Sequence, residues 1–335
     1  MAIISSVNRT CASESLLELY RSYKYILSTS FNIIIPIISL FFLVYAIKQL
    51  CAQSIIQYST RVLLITTILF AVCHQIAYFC FKADLLYTML FKLDQPCNLQ
   101  HSSYDCRFIT IATTTSNCGM ALVQLAMSID RVFALKFNRV YYKLKSIPGI
   151  TLALITLSIS FSMFFILTID DPLSGYVNHC GFYPTYSQDK FHIFLDVTLY
   201  LAVFNFVFDI GLMYYSYQEI LWKRSYSFVN RFQSRISLKC TQAIFIISIC
   251  QCISNVLYSG LLSLLMKLGR YMSSADYNLS LSLAYTTPYS CLILPILICK
   301  VLEYIKKQRT VGILSLRNQK QSMEGHMAMI NSAWK

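Results

Sequence analysis

The chain has 335 residues, 56% of them hydrophobic and only 13% charged, with a mean hydropathy of +0.54. A soluble domain carries about twice that share of charge, so the composition excludes an ordinary globular fold and indicates one helical membrane domain. The net charge of +13 would suit a nucleic-acid partner, but its distribution over the loops, described next, argues against one.

Residues 1–25 read as a polar amino-terminal segment without the apolar run of a signal peptide, so the first hydrophobic helix is expected to direct insertion. This segment holds Asn8-Arg9-Thr10, a glycosylation acceptor. Residues 26–299 contain seven apolar runs of membrane-spanning length. They are about Ile26–Ile47, Val62–Phe81, Phe108–Ile129, Gly149–Ile169, Ile193–Tyr217, Thr241–Met266 and Leu279–Cys299. The fold class is therefore an all-α membrane protein, a seven-transmembrane helix bundle in the lipid bilayer. Seven is odd, so the termini lie on opposite sides. Basic residues alternate across the loops, 19 on one side and 9 on the other. The richer side holds the carboxyl terminus and is expected to be cytosolic, with the amino terminus extracellular. Residues 300–335 read as a cytoplasmic tail. It opens with a short basic amphipathic helix, Lys300–Arg309, that would lay Val301, Leu302 and Ile305 in the lipid interface.

The third run is framed by chemistry. Cys106 and Arg131 are 25 residues apart, roughly 37 Å of α-helix. A thiol thus stands at one membrane face and the pair Asp130-Arg131 at the other. Of 13 cysteines, only Cys11, Cys97, Cys106 and Cys180 fall on the outer side, where disulfides persist. Four thiols allow three pairings. A bond from Cys106 to Cys180 would pin the loop between helices four and five across the mouth of the bundle. Cys11 and Cys97 would then tie the amino terminus to the first outer loop. Cys250-Gln251-Cys252 does not read as a metal site, because residues two apart on a helix face different ways. No metal-ligating, nucleophile or phosphate-loop motif marks an enzyme, and no cofactor is implied.

Polar residues at membrane depth need a partner or a role. Helix three carries Thr113, Asn117, Gln124 and Ser128 on one face, and helix six Gln251, Asn255 and Tyr258. Helix five carries Asp196 near its outer end, with Asn205 and Asp209 four residues apart. For Asn205, Asp209, Gln124, Asn255 and His74 the expectation is interhelical hydrogen bonding. For the outer-half residues Thr113, Asn117, Asp196 and Tyr285 it is a ligand pocket.

Seven helices, an outer amino terminus, Cys106, Cys180 and Asp130-Arg131-Val132 together resemble a G-protein-coupled receptor. Cys11-Ala12-Ser13-Glu14, Tyr58-Ser59-Thr60-Arg61 and Ser128-Ile129-Asp130-Arg131-Val132 resemble the nematode serpentine receptors of class alpha, over nearly the whole chain. The resemblance implies a chemosensory receptor in the plasma membrane of sensory neurons, which binds a small extracellular odorant or metabolite and activates a heterotrimeric G protein. It also implies that Asp130 and Arg131 serve that coupling. Arg131 would be held at rest by Asp130 or a nearby acceptor so that helices three and six stay together; the alternative is a snorkelling anchor within the positive-inside belt, favoured at a helix carboxyl end. Helix two lacks the aspartate of rhodopsin-like receptors, helix six lacks Trp and Pro, and helix seven has Thr287-Pro288-Tyr289. The activation switches are therefore expected to differ from that pattern. No lysine lies between Leu279 and Cys299, which excludes a retinal Schiff base there. The alternative is a ligand-gated channel or transporter with Asp196 and Asp209 along its pathway. Their 13-residue separation puts them on different helix faces, and no inverted repeat is visible.

Overall fold

The computed structural model describes residues 14–52, 56–172, 175–177, 180, 187–222, 228–307 and 310. Helix α1 (Glu14–Arg21) is followed by α2 (Tyr23–Ala52), α3 (Tyr58–Phe91) and α4 (Arg107–Lys136). The short α5 (Asn138–Leu144) bridges to α6 (Ile147–Thr168). Then come α7 (Gln188–Trp222), α8 (Phe228–Leu268), α9 (Ser274–Ala284) and α10 (residues 287–307). Among the described residues seven segments are long and apolar enough to cross a membrane, and each overlaps one expected from the sequence. Large apolar side chains such as Phe41 (72% exposed) and Val207 (60%) point away from the bundle. A belt of that kind needs hydrocarbon as its solvent. The protein is a multi-pass seven-helix membrane bundle.

Helix α4 is its central post. In its membrane window 67% of residues are buried, against 22% in α6 and in α7, and it packs on α3, α6, α7 and α8. Glycine sets two of the close approaches. A Cβ at Gly119 would overlap the Phe70 ring, so α3 and α4 meet there. At Gly149 it would overlap the Ser59 backbone, so the start of α6 lies directly on the start of α3. The main apolar core joins α2, α3, α4, α8 and α10 through residues such as Leu43, Leu63, Met127, Ile244 and Leu294.

At the end of the bundle that carries α1, two short strands pair antiparallel: β1 (His101–Ser102) and β2 (Tyr176–Val177), with His101 opposite Val177. Beside them Cys106 and Cys180 form a disulfide, with Cα atoms 4.9 Å apart. Ladder and bond together hold the loop after α6 against the start of α4. Cys97 is also disulfide-bonded; Cys11 and Asn8 lie outside the described residues.

The structure departs from the sequence reading at four places. Helix α1 lies in a segment read as polar. Leu16, Leu19 and Tyr20, at helical spacing, are buried against Tyr25, Tyr78, Phe81 and Leu85. Helix α3 does not stop at Phe81. Leu85, Thr88 and Met89 continue its buried face to Phe91, which carries Lys82 into the bundle at 3% exposure. The last span breaks at Tyr285–Thr286. Pro288 offers no N–H to the Ala284 carbonyl, and its ring crowds that oxygen. Finally, residues 300–307 extend α10. Leu302 and Ile305 are each 4% exposed, so they face the bundle and not the lipid interface.

Candidate functional site

The break before Pro288 shapes the interior. Gln75 Nε2 donates to the Pro288 carbonyl (2.8 Å) and to Ser39 Oγ (3.0 Å), and Ser39 Oγ donates to the Cys291 carbonyl (3.1 Å). Thr286 Oγ1 donates to the Ser254 carbonyl (2.9 Å). Non-helical backbone at membrane depth thus finds its partners inside the protein. Freed from helical geometry, Tyr285 turns inward. Its hydroxyl shares a 2.6 Å hydrogen bond with His74 Nε2 and accepts from Asn117 Nδ2 at 3.4 Å. The rings of Tyr78 and Tyr258 flank it, with centroids 5.7 and 5.4 Å away.

Next to this cluster is a small cavity of about 50 Å³ between α4, α7, α8 and α10. Asn117, Thr198, Gln251, Asn255, Tyr258 and Ser290 give it polar walls, and Met120, Phe194 and Leu199 apolar ones. The oxygens Asn117 Oδ1 and Gln251 Oε1 are buried without a hydrogen-bond partner among the described residues. The cavity therefore offers hydrogen-bond acceptors to a donor group, with no charged side chain in its lining.

The four residues proposed from depth are not brought together. Asn117 lines the cavity and Tyr285 stands behind it, bonded to Asn117. Thr113 turns its hydroxyl back onto the Ile109 carbonyl (2.9 Å). Asp196 is exposed on the outer surface of α7, away from the cavity. The expected helix-six face of Gln251, Asn255 and Tyr258 all reaches it.

Below the cavity Asp209 is 2% exposed and accepts from Ser128 Oγ at 2.6 Å, linking α7 to α4. Among the described residues, neither amide atom of the neighbouring buried Asn205 has a hydrogen-bond partner.

At the opposite end from the disulfide, Asp130 and Arg131 are both wholly buried. Asp130 accepts from Ser59 Oγ (2.5 Å), from Thr60 Oγ1 (3.2 Å), from the Tyr141 hydroxyl (2.9 and 3.0 Å) and from Arg131 Nη2 (2.5 Å). Arg131 Nη2 also faces Thr60 Oγ1 (2.5 Å) and Tyr141 Oη (2.9 Å). The pair is therefore clamped by the start of α3 on one side and by α5 on the other. Burial pushes the Tyr141 phenol up to about 12, so it remains a donor at physiological pH. Arg131 Nε and Nη1 carry three of the five N–H donors of a guanidinium and have no hydrogen-bond partner among the described residues. The arginine is held, but most of its donor fork is unused.

The sequence model of the serpentine type seven-transmembrane GPCR chemoreceptor Sra family matches residues 6–334. The chain belongs to this family of class alpha serpentine chemoreceptors. It is 60% identical over 334 residues to serpentine receptor class alpha-13 of Caenorhabditis briggsae, covering 100% of both chains. It is 34% identical to serpentine receptor class alpha-11 of Caenorhabditis elegans, covering 98% of each, and 28% identical to class alpha-12 of the same organism.

In this class alpha receptor the partners of the Asp130-Arg131 pair are Ser59 and Thr60, both within the tetrapeptide Tyr58-Ser59-Thr60-Arg61, and Tyr141. The expected tie is between helices three and six; among the described residues the hydrogen-bonding groups that hold the pair come from α3 and α5. Tyr141 sits in a stretch read only as a basic loop, and no sequence pattern singled it out. Lys82 lies one residue past the second apolar run, Val62–Phe81; Leu85 and Met89, three and seven residues further, are the helical spacing that carries the span on.

Proposed function

We propose that this receptor binds a small extracellular ligand in the cavity beside Tyr285 and activates a heterotrimeric G protein through Arg131. The observation that carries the reading is the buried clamp on Asp130 and Arg131, at the far end of the same helix whose Asn117 lines the cavity. A guanidinium held by hydroxyls and one carboxylate, with unused donors, suits a residue released to a new partner. The disulfide supports an extracellular location for the cavity end, because such bonds persist in oxidising compartments. The basic loops support a cytosolic location for the other end. Plasma-membrane placement in sensory neurons follows from the family's chemoreceptor role. The ligand is small and presents a hydrogen-bond donor to Asn117 Oδ1 and Gln251 Oε1.

The test is an odorant and metabolite panel on cells expressing the full chain, with calcium readout, repeated in cells lacking Gα subunits. A response lost with the G protein supports the receptor reading. A ligand-dependent current that persists without G protein would favour a channel.

A further inference from the structure

Lys82 is a buried ammonium two helical turns beyond His74, at the disulfide end of α3. Its side chain is 3% exposed. Among the described residues its one hydrogen bond goes to Ser282 Oγ on α9, at 3.0 Å, and no carboxylate pairs with it. Asp84, two residues on, faces His101 instead, 3.5 Å away. The remaining neighbours of Nζ are aromatic faces, with the Phe81 centroid at 4.9 Å and the Tyr78 centroid at 5.5 Å. One turn below, the Tyr78 hydroxyl is buried with no hydrogen-bond partner. An ammonium has three protons to donate, and a buried charge without a counter-ion is costly. Two donors, one of them cationic, thus stand together in an apolar surround formed by Leu16, Leu19, Phe81 and Leu85.

We propose that Lys82, with the Tyr78 and Ser282 hydroxyls, forms a binding site for the carboxylate of a small organic acid, beneath α1 where α3 meets α9. Nothing else in the surround neutralises the ammonium, and a carboxylate would accept from both Lys82 and Tyr78. The aromatic faces of Tyr78 and Phe81 and the leucines of α1 take the acid's hydrocarbon part. The site is separate from the uncharged cavity: Tyr285 stands between them, and Lys82 does not line that cavity. Helix α1 covers the site, so ligand access requires α1 to lift. The inference shares with the receptor reading only that this end of the bundle meets small molecules.

The experiment uses the purified full-length receptor in detergent and follows thermal unfolding at constant ionic strength. The probes are straight-chain carboxylates from acetate to octanoate, together with benzoate, each against the amide of the same carbon skeleton. The expected result is a saturable rise in Tm of several degrees with one or more carboxylates and none with the matching amides. Lys82→Arg should keep the rise, Tyr78→Phe should reduce it, and Lys82→Met should abolish it. No rise with any carboxylate, or an undiminished rise in Lys82→Met, overturns the site. Equal rises with acid and amide also overturn it, yet leave a ligand-binding receptor standing. If Lys82→Met does not fold, the acid-against-amide comparison in the wild type and in Lys82→Arg decides alone.

Discussion

Replacing Asp130 by asparagine tests the clamp most directly. The amide keeps the side chain's shape but removes the charge. In the structure both carboxylate oxygens accept hydrogen bonds, from Ser59 and Tyr141 on one and from Thr60, Tyr141 and Arg131 on the other. An amide has one oxygen and turns an NH₂ toward those donors. Arg131, at 0% exposure, is then a buried cation without its anion, and breaking a buried pair in this way costs about 3–5 kcal/mol. If the open state exposes Arg131 to a partner, that cost falls on the clamped state alone. Taking about 3 kcal/mol, the clamped-to-open ratio drops roughly 150-fold, at 1.36 kcal/mol per decade. A receptor open roughly 1% of the time at rest would then be open for more than half of it. The assay is ligand-independent G-protein activation, normalised to surface receptor. Asp130→Asn should raise it strongly, and Arg131→Lys should reach the surface normally yet signal poorly, having lost the planar fork. If Asp130→Asn has wild-type basal activity and Arg131→Lys signals normally, the pair is a membrane anchor and the reasoning above is refuted.

Gly149→Ala should act on the same clamp from outside. The new methyl meets the Ser59 backbone, its Cα only 2.8 Å away; overpacking of this kind costs about 1–3 kcal/mol, so a lower Tm with raised basal signalling is expected, and wild-type values of both would show that α6 does not brace Ser59. Cys106→Ser and Cys180→Ser should each lose surface expression, since the bond closes 74 residues and is worth about 4 kcal/mol in loop-closure entropy. The double mutant should be no worse than either single, and additive losses would show that the two thiols do not act as one unit. An epitope at Met1 should label on intact cells and one at Lys335 only after permeabilisation; the reverse would place Arg131 outside and remove the coupling role.

What was legible in the sequence is what periodicity and composition encode. The seven spans follow from apolar length, and the Gln251, Asn255 and Tyr258 face follows from 3.6-residue spacing. Asp196 and Asp209 show the limit of that spacing. Thirteen residues put them on different faces, but only packing decides which face turns inward, and it buried Asp209 and exposed Asp196. Lys82 marks another limit, because an apolar run ends at its charge while the helix does not. The helix continues because Leu85 and Met89 repay its extension with burial, and the charge goes in with them. Tyr285 was expected in the ligand pocket, but spacing alone could not give it the direction that the structure shows. Its inward turn follows from Pro288, three residues later, and from the backbone break that the proline imposes. Tyr141 had no signal at all: a tyrosine in a basic loop gains its role only once α5 folds back under α4.

The cavity and the clamp share α4, yet a rigid helix alone carries no signal. Asn117 and Arg131 are 14 residues apart, about 21 Å along the axis, and coupling between them needs an element with two arrangements. The packing suggests which one. Helices α7 and α8 pack more extensively on each other than either does on α4, so they are suited to move as a unit. Both line the cavity, through Thr198 and Gln251. Their link to α4 includes one buried hydrogen bond, Ser128 to Asp209, placed one turn from Arg131. Cys240 of α8 is buried in the same core as Met127, one turn before Arg131. In the proposed receptor, a ligand that fits the cavity better when α7 and α8 are displaced would strain that bond and the packing beside Arg131 together. It can do so only by its difference in affinity for the two arrangements. Reversing a 1:99 population takes about 5.5 kcal/mol, similar to the roughly 3–5 kcal/mol by which one buried charge pair resists being broken. A cavity as small as this one can supply that difference only if its two unpaired acceptors are satisfied in one arrangement and not in the other.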